Sequence, residues 1–332
     1  MEHDLNVWKS LYETAKAWKS QQPWFYLRSN DWIQIDFPDE ETIYCSIMGN
    51  LGTCTGLSMY QGDQGLADLM SISIDCTDTN LIQYLMYEQK CITFYLGNRD
   101  EVPKAQKKII KQLGMRFRGN GNWPYFISFE KHYAPDSINE QQAILLTKVM
   151  SKLLEIVDIY TQSKIDVIFD DDEMIYAHVE DNNWIYEAIC ITEQDKFMPV
   201  DLDDQELLQQ LKQCPQSDIN LCLDLFYLNT YYFDENSKRP INPLMFIVVD
   251  EESEMIIYQK LLTVDDDEIS IVLSFIVEFI LQYDRPQQII IRNPTIWAAI
   301  NNLCEECRIK LDIVSPLPLI DEIIDEFNEF MD

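Results

Sequence analysis

Leu244-Met245-Phe246-Ile247-Val248-Val249-Asp250 is an unbroken apolar run closed by an acid, and a second apolar run, residues 255–262, follows after Glu251-Glu252-Ser253-Glu254. A short apolar run bounded by turn residues reads as a buried strand, and its neighbour as the return arm of a hairpin. Downstream, residues 265–283 have helical periodicity, with an acidic first turn that suits the helix dipole. Residues 288–291 read as a short buried strand, 295–307 as a helix, 309–314 as a strand and 319–330 as a closing helix. Residues 220–232, upstream, are also strand-like. This alternation predicts an α/β unit on a mixed sheet.

Working back toward the N-terminus, residues 164–169, 174–179 and 184–191 form a strand-like meander with acidic loops. Residues 138–160 are the longest periodic helix, with Ile144, Leu145, Val149, Leu153, Leu154 and Val157 on one face, and read as a connector. At the start of the chain, Leu5, Trp8, Leu11, Tyr12, Ala15 and Trp18 make one apolar helical stripe that Pro23 ends. Glycine-punctuated strands are expected at 32–37, 42–48, 56–60 and 91–96. A basic helix over 103–113 opens on Pro103 and stops at Gly114, and a strand follows at 125–130. The expected fold is α+β. An N-terminal helix-plus-antiparallel-sheet domain (1–136) leads through a connecting helix (137–162) into a mixed-sheet acidic α/β domain (163–332).

Charge divides the chain unevenly. Of 332 residues, 57 are acidic and 25 basic, a net of −32. Residues 1–132 hold 16 acidic and 13 basic side chains, and residues 133–332 hold 41 and 12. With 47% hydrophobic and 12% aromatic residues the chain builds real cores, so the acidity is not that of a disordered protein. It disfavours nucleic-acid backbones and anionic membranes as partners over most of the surface. The longest apolar stretch, residues 269–283, is interrupted by Glu278 and is too short to span a membrane. Met1-Glu2-His3-Asp4 lacks an export leader, and nine cysteines read as reduced thiols, so a cytoplasmic location is expected.

Particular stretches resemble known families. Residues 44–52 (Tyr44-Cys45-Ser46-Ile47-Met48-Gly49-Asn50-Leu51-Gly52), Gly56-Leu57-Ser58-Met59-Tyr60, Phe117-Arg118-Gly119 and Trp123-Pro124 resemble a two-domain bacterial family of unknown function, common in Firmicutes. Arg285-Pro286, Ile289-Ile290-Ile291-Arg292, Ile309-Lys310-Leu311 and Leu317-Pro318 resemble its second domain. The resemblance implies a bacterial or mobile-element protein and carries no activity with it. From Leu244 onward the order also resembles a trimmed ribonuclease-H-like core. In such a core a first strand with a metal-binding Asp runs into a hairpin, a later strand ends in a second Asp, and a final helix supplies a third acid. On this resemblance Asp250 closes the first strand, and Asp321, Glu322 or Asp325 supplies the third acid. The second acid is missing, because Arg292 and Asn293 stand at its place. Two-metal chemistry needs several carboxylates holding cations about 3.5–4 Å apart, so losing the central acid and placing the positive charge of Arg292 beside it makes the site read as degenerate.

Other chemistries find little support. His3, His132 and His178 are framed by no nucleophile motif. Cys304 and Cys307 form one Cys-x-x-Cys inside a helix, without the second half of a zinc site. Asp201, Asp203, Asp204 and the acidic quartets lack calcium-loop spacing and read as solvated loops and helix caps. No glycine loop suits a phosphate, and no metal or cofactor is expected. Lys104, Lys107, Lys108, Lys111, Arg116 and Arg118, beside Phe117 and Trp123, suit phosphate contact, or charge pairing with an acidic surface.

The leading expectation is a non-catalytic interaction protein that presents an acidic C-terminal face to a basic partner, in its sharper form as a nucleic-acid mimic. That face is centred on Asp170, Asp171, Asp172, Glu173, Asp265, Asp266, Asp267 and Glu268, with Arg116, Arg118 and Trp123 as a second, smaller surface. The alternative is a metal-dependent nuclease or phosphotransfer enzyme using Asp250 with Asp321, Glu322 or Asp325.

Overall fold

The computed structural model describes residues 4–52, 54–233, 237 and 239–331; His3 lies outside them. In chain order the first half contains α1 (Leu5–Gln21), β1 (Ile33–Ile35), β2 (Ile43–Met48), β3 (Gly56–Gln61), α2 (Gly62–Ile72), α3 (Thr79–Tyr87), β4 (Cys91–Gly97), α4 (Lys104–Gln112), β5 (Trp123–Glu130), β6 (Tyr133–Ser137) and α5 (Glu140–Thr161). The second half contains β7 (Glu173–Glu180), β8 (Asn183–Cys190), α6 (Gln205–Gln213), β9 (Asn220–Tyr227), β10 (Leu244–Asp250), β11 (Ile256–Leu262), α7 (Glu268–Tyr283), β12 (Gln288–Ile291), α8 (Pro294–Cys307), β13 (Lys310–Ile313) and α9 (Pro318–Met331). This is an α+β chain with two mixed sheets.

Compactness divides the chain differently from the charge step. One unit gathers residues up to 73, 89–130 and 135–194; the other gathers 74–88, 131–134 and 195 onward. The division therefore does not fall after residue 136 or after residue 162, and α5 is not set apart as a connector. It belongs to the first unit, where Gln21 of α1 donates to the Leu154 carbonyl at 2.8 Å and to Asp158 at 2.6 Å. The periodicity that marks a helix does not say which surface its apolar face covers. The face that is buried runs through Ala143, Leu146, Val149, Met150, Leu153, Ile156 and Val157, so the predicted face is turned slightly and leaves Ile144 exposed; it joins Trp8, Leu11, Tyr12 and Trp18 of α1 in one core.

The first unit carries an eight-stranded sheet in the order β6-β5-β4-β3-β2-β1-β7-β8. β1 pairs in parallel with β7, which extends the sheet with the meander of residues 173–190. α1 buries the five residues Trp8, Leu11, Tyr12, Ala15 and Trp18, as its periodicity predicts. α5 opens on a reciprocal capping box between Asn139 and Gln142. The predicted strand at 164–169 is not formed. Ile165 alone is buried there, and the chain instead turns through a short 3-10 helix at Phe169–Asp171. α2 was hidden behind its glycines, which read as turn residues. Gly62 has φ +67 where the chain leaves β3, and at Gly65 a Cβ would lie 3.0–3.1 Å from Tyr60, so the helix packs on the strand it has just left.

In the second unit five strands lie in the order β11-β10-β9-β12-β13. β9 pairs antiparallel with β10 and parallel with β12, β10 pairs antiparallel with β11, and β12 pairs parallel with β13. Only β10 opposes the rest. The first strand of the unit is thus β9, not the run at 244–250, and β9 sits at the centre. Being covered on both faces, it is buried from Leu221 to Tyr227. A core of Cys222, Phe226, Met245, Ile247, Val249 and Ile290 packs against Ile320 and Ile324 of α9. α3 and α6 are started by Asp78 and Asp204, each of which accepts two backbone N–H groups of the first turn.

Candidate functional site

Asp224 is the one acid in a strand of otherwise apolar residues, Leu221-Cys222-Leu223-Asp224-Leu225-Phe226. Parallel pairing sets Gln288 beside Asn220 and Ile291 beside Leu223, so the next step of the ladder carries Arg292 to Asp224. Both side chains are 1% exposed. Arg292 Nε donates to Asp224 Oδ2 at 2.8 Å, and Nη2 lies 2.6 Å from the same oxygen. Nη1 reaches two more carboxylates, Asp78 Oδ2 at 3.2 Å and Asp321 Oδ1 at 2.5 Å. The acids are themselves held. Ser315 Oγ donates to Asp78 at 2.8 Å, and Asn80 Nδ2 donates to Asp321 at 2.7 Å. Next in the chain, Asn293 caps α8 and donates to the Leu225 carbonyl at 3.0 Å.

One guanidinium therefore serves three carboxylates inside the second unit, a use its rigid donor fork favours over lysine. Burial pushes the Asp224 carboxyl up to about 6, with the charge and hydrogen bond of Arg292 working against that rise. For Asp78 burial acts upward too, but the Leu81 N–H, the Ser315 hydroxyl and Arg292 outweigh it and hold the group low. Burial alone would weaken the positive charge of Arg292, yet Asp224 and Asp321 more than restore it and raise its pKa.

A second buried network lies in the same unit. Glu268, at the start of α7, faces His132 Nε2 at 2.9 Å and Lys131 Nζ at 3.1 Å, and Lys131 also pairs with Glu88 at 3.0 Å. Tyr227 of β9 donates to Glu88 at 2.6 Å. Burial raises the Glu268 carboxyl, but the hydrogen bond from His132 and the charges of Lys131 and His132 prevail and hold it at about 2. His132 is thereby held between Glu268 and the Tyr227 ring.

The predicted acids scatter. Asp250 closes β10, not the first strand, and accepts the backbone N–H groups of Glu252 and Ser253 in the hairpin turn. It pairs across the sheet with Leu221, three residues and so about 10 Å along β9 from Asp224. Of Asp321, Glu322 and Asp325, only Asp321 joins the Arg292 cluster; the other two are exposed. Asp265 is exposed, Asp266 braces a turn by accepting from Thr263 and Lys260, and Asp267 caps α7. With Glu268 buried, that quartet is not a free acidic surface. In the first unit Asp170 pairs with Arg28, Glu173 accepts from the Ile168 N–H, and Asp171 and Asp172 are exposed. Cys304 and Cys307 are buried, and burial pushes the Cys304 thiol up to about 12 and raises that of Cys307, which opposes redox use. His178 stacks on Tyr176 at 4.4 Å. Among the described residues no group of three or more His, Cys, Asp or Glu side chains is arranged to hold a metal ion. No helix among them is long and apolar enough to cross a membrane.

Sequence reasoning missed Asp224 and Asp78. A lone acid inside an apolar strand was a legible signal for the first; nothing short of the fold pointed to the second.

The profile of a domain of unknown function, DUF7309, matches residues 8–177, just over half of the chain and most of the first unit. The chain belongs to the DUF7309 family. A second domain of unknown function, DUF6930, matches residues 207–328, within the second unit. Among curated proteins nothing matches the sequence. Solved structures with some likeness include the catalytic core domain of BIV integrase, at 15% identity over 34% of this chain and 66% of that one, with a TM-score of 0.25. The simian T-cell lymphotropic virus intasome in complex with PP2A regulatory subunit B56 gamma matches at 15% identity over 36% and 42%, with a TM-score of 0.25. The Mos1 transposase paired-end complex with the left transposon end matches at 11% identity over 70% and 82%, with a TM-score of 0.20. The chain thus spans less than two thirds of the first two of these chains. At such scores the three say nothing of function.

Proposed function

We propose that this DUF7309 protein is a non-catalytic binding protein whose second unit is a ribonuclease-H-like core with its acid site closed from within by Arg292. The supporting geometry is the strand order. A central first strand, β9, bears Asp224 and is followed by the hairpin β10–β11; the later strand β12 ends beside it, and the final helix α9 supplies Asp321. In that scheme Arg292 occupies the place of the second acid.

The observation that carries the proposal is the buried ion cluster itself. A pair of divalent cations needs the lone pairs of several carboxylates, and here Asp224 Oδ2 and Asp321 Oδ1 both accept from a guanidinium. A cation added beside Arg292 would meet its charge at short range in a poorly screened interior. The residues present do not fit a metal pair. Incubating the protein with single- and double-stranded DNA and RNA in Mg²⁺ or Mn²⁺ is expected to leave the substrates intact. Metal-dependent cleavage that disappears in Asp224→Asn would overturn the reading.

The partner we propose is basic. Residues 133–332 carry 41 acidic against 12 basic side chains, and α9 offers a groove of about 600 Å³ in which Leu319, Ile323 and Phe327 are rimmed by Glu254, Glu322 and Glu326. An apolar floor with a glutamate rim suits a segment with one apolar face and flanking lysines or arginines. Capture of a basic protein that is released by high salt and weakened by Glu322→Lys/Glu326→Lys supports this. Capture insensitive to both removes it.

A further inference from the structure

We propose that the first unit binds a compact polyphosphate group, of the kind carried by a nucleoside di- or triphosphate, in the cleft between α1 and the loop after α4. The cleft, about 360 Å³, is lined by Lys16, Lys19, Arg116 and Arg118, with Ser20, Asn122 and the Phe117 ring among the remaining lining, and no carboxylate borders it. Its size falls at the small end of ligand pockets.

The local structure explains how four cations come together. Lys16, Lys19 and Ser20 stand at helical spacings of three and four, which places them on one face of α1. Across from them the chain runs without regular structure from residue 115 to 118. Phe117 turns inward against Tyr12 and Trp123, with ring centroids 6.0 and 5.9 Å away, while Arg116 and Arg118 on either side of it stay exposed. The loop is pinned. Gly119 and Gly121 take φ +85 and +66, Asn122 donates to the Arg118 carbonyl at 3.0 Å, and the Gly121 N–H donates to Asn98 at 3.1 Å. The backbone that carries Arg116 and Arg118 is therefore held before any ligand arrives, which lowers the part of the ordering cost that falls on the loop.

The charge arrangement points to an anion. Among the described residues none of these four cations is ion-paired to a carboxylate, in a chain with 57 acidic side chains available. Like charges at helical spacing repel by a few tenths of a kcal/mol per pair, and the fold leaves that repulsion unrelieved. A bound polyanion relieves it. Four positive charges in so small a cleft match the density of a di- or triphosphate better than that of a nucleic-acid strand, which offers one phosphate per ~3.4 Å of each strand. A single strand also needs free ring faces for its bases. Here Lys16 Nζ sits 5.4 Å over the Phe117 ring and the Arg99 guanidinium 5.8 Å over the Trp123 ring, so those faces are covered.

The test is calorimetric titration of the full chain with inorganic tripolyphosphate and pyrophosphate at low ionic strength, alongside a single-stranded oligonucleotide. Tripolyphosphate is expected to bind and the oligonucleotide to bind more weakly. Arg116→Gln/Arg118→Gln should weaken tripolyphosphate at least tenfold, and Lys16→Gln/Lys19→Gln, on the opposite wall, should do the same with an unchanged circular dichroism spectrum. Lys104→Gln/Lys108→Gln, on the exposed face of α4 outside the cleft, should leave the affinity within twofold. Absence of tripolyphosphate binding, equal weakening by the α4 pair, or tighter binding of the oligonucleotide would each overturn the proposal.

Discussion

Arg292 and the Arg116/Arg118 pair carry the same guanidinium into opposite surroundings. Arg292 is buried among three carboxylates, Asp78, Asp224 and Asp321. Arg116 and Arg118 are exposed on a pinned loop, share their cleft with two lysines and meet no carboxylate there. A charge taken out of water must be paired within the fold, whereas a charge left at a rim can wait for a ligand. The acidic second unit thus contains a cation whose charge is satisfied internally, and the more balanced first unit contains cations whose charge is not. For this protein, the sign of a region's net charge is a poor guide to where a ligand of the opposite sign will bind.

The comparison breaks most sharply at Arg292. Replacing it with Ala leaves three carboxylates facing one another in the interior, and the loss of a single buried partner typically costs about 3–5 kcal/mol. Urea denaturation should show that loss as a lower midpoint, and a loss under 1 kcal/mol would mean that Arg292 does not hold the acids together.

The next effect is on pH dependence, and it separates the two buried networks of the second unit. Glu268 is held at about 2, below its ordinary value of 4.5. Its contribution to stability is therefore complete above pH 4.5 and is lost as the pH falls toward 2, on the order of 2–3 kcal/mol in all. Asp224 has the opposite sign. Its pKa is raised to about 6, so ionising it costs stability as the pH rises from about 4 through 6. Glu268→Gln should flatten the acid limb of a stability–pH curve, and Asp224→Asn should remove a decline near pH 5–6. Identical curves for wild type and both variants would contradict the assignment.

A smaller effect distinguishes neighbours on α9. Asp321→Asn removes one charged partner of Arg292 and should cost about 1–2 kcal/mol, whereas Asp325→Asn, on the exposed side, should stay within about 0.5 kcal/mol. Equal losses would mean that the pairing of Asp321 with Arg292 carries no weight. Smallest of all is Arg116→Gln/Arg118→Gln, which breaks no ion pair among the described residues and should change unfolding free energy by no more than about 0.5 kcal/mol while abolishing most tripolyphosphate binding. Stability and affinity should move together at Arg292 and separately in the cleft.

Much of this molecule is legible in its residues one segment at a time. The stripe from Trp8 to Trp18, the capped helix opened by Asn139, and the apolar runs at 221–227, 244–249 and 288–291 each announce their element, because a 3.6- or 2-residue period is a local consequence of burying one face. The charge step along the chain is equally plain. The sites are not local in this sense. Arg292 meets Asp224 across 68 residues and Asp78 across 214, and the first contact exists because β12 pairs in parallel with β9 in one register. That register also makes β9, not β10, the first strand, and so moves the acid of interest from Asp250 to Asp224. In the same way, the amphipathic pattern of α5 required a partner without naming α1, and Arg116, Arg118, Lys16 and Lys19 share a cleft only because Phe117 is drawn into the core of the first unit. The sequence by itself determined the elements and the distribution of charge. Which strands neighbour one another, and hence which charges are paired and which are left open, was decided by tertiary structure alone, because contacts between distant segments are selected by the packing of the whole core.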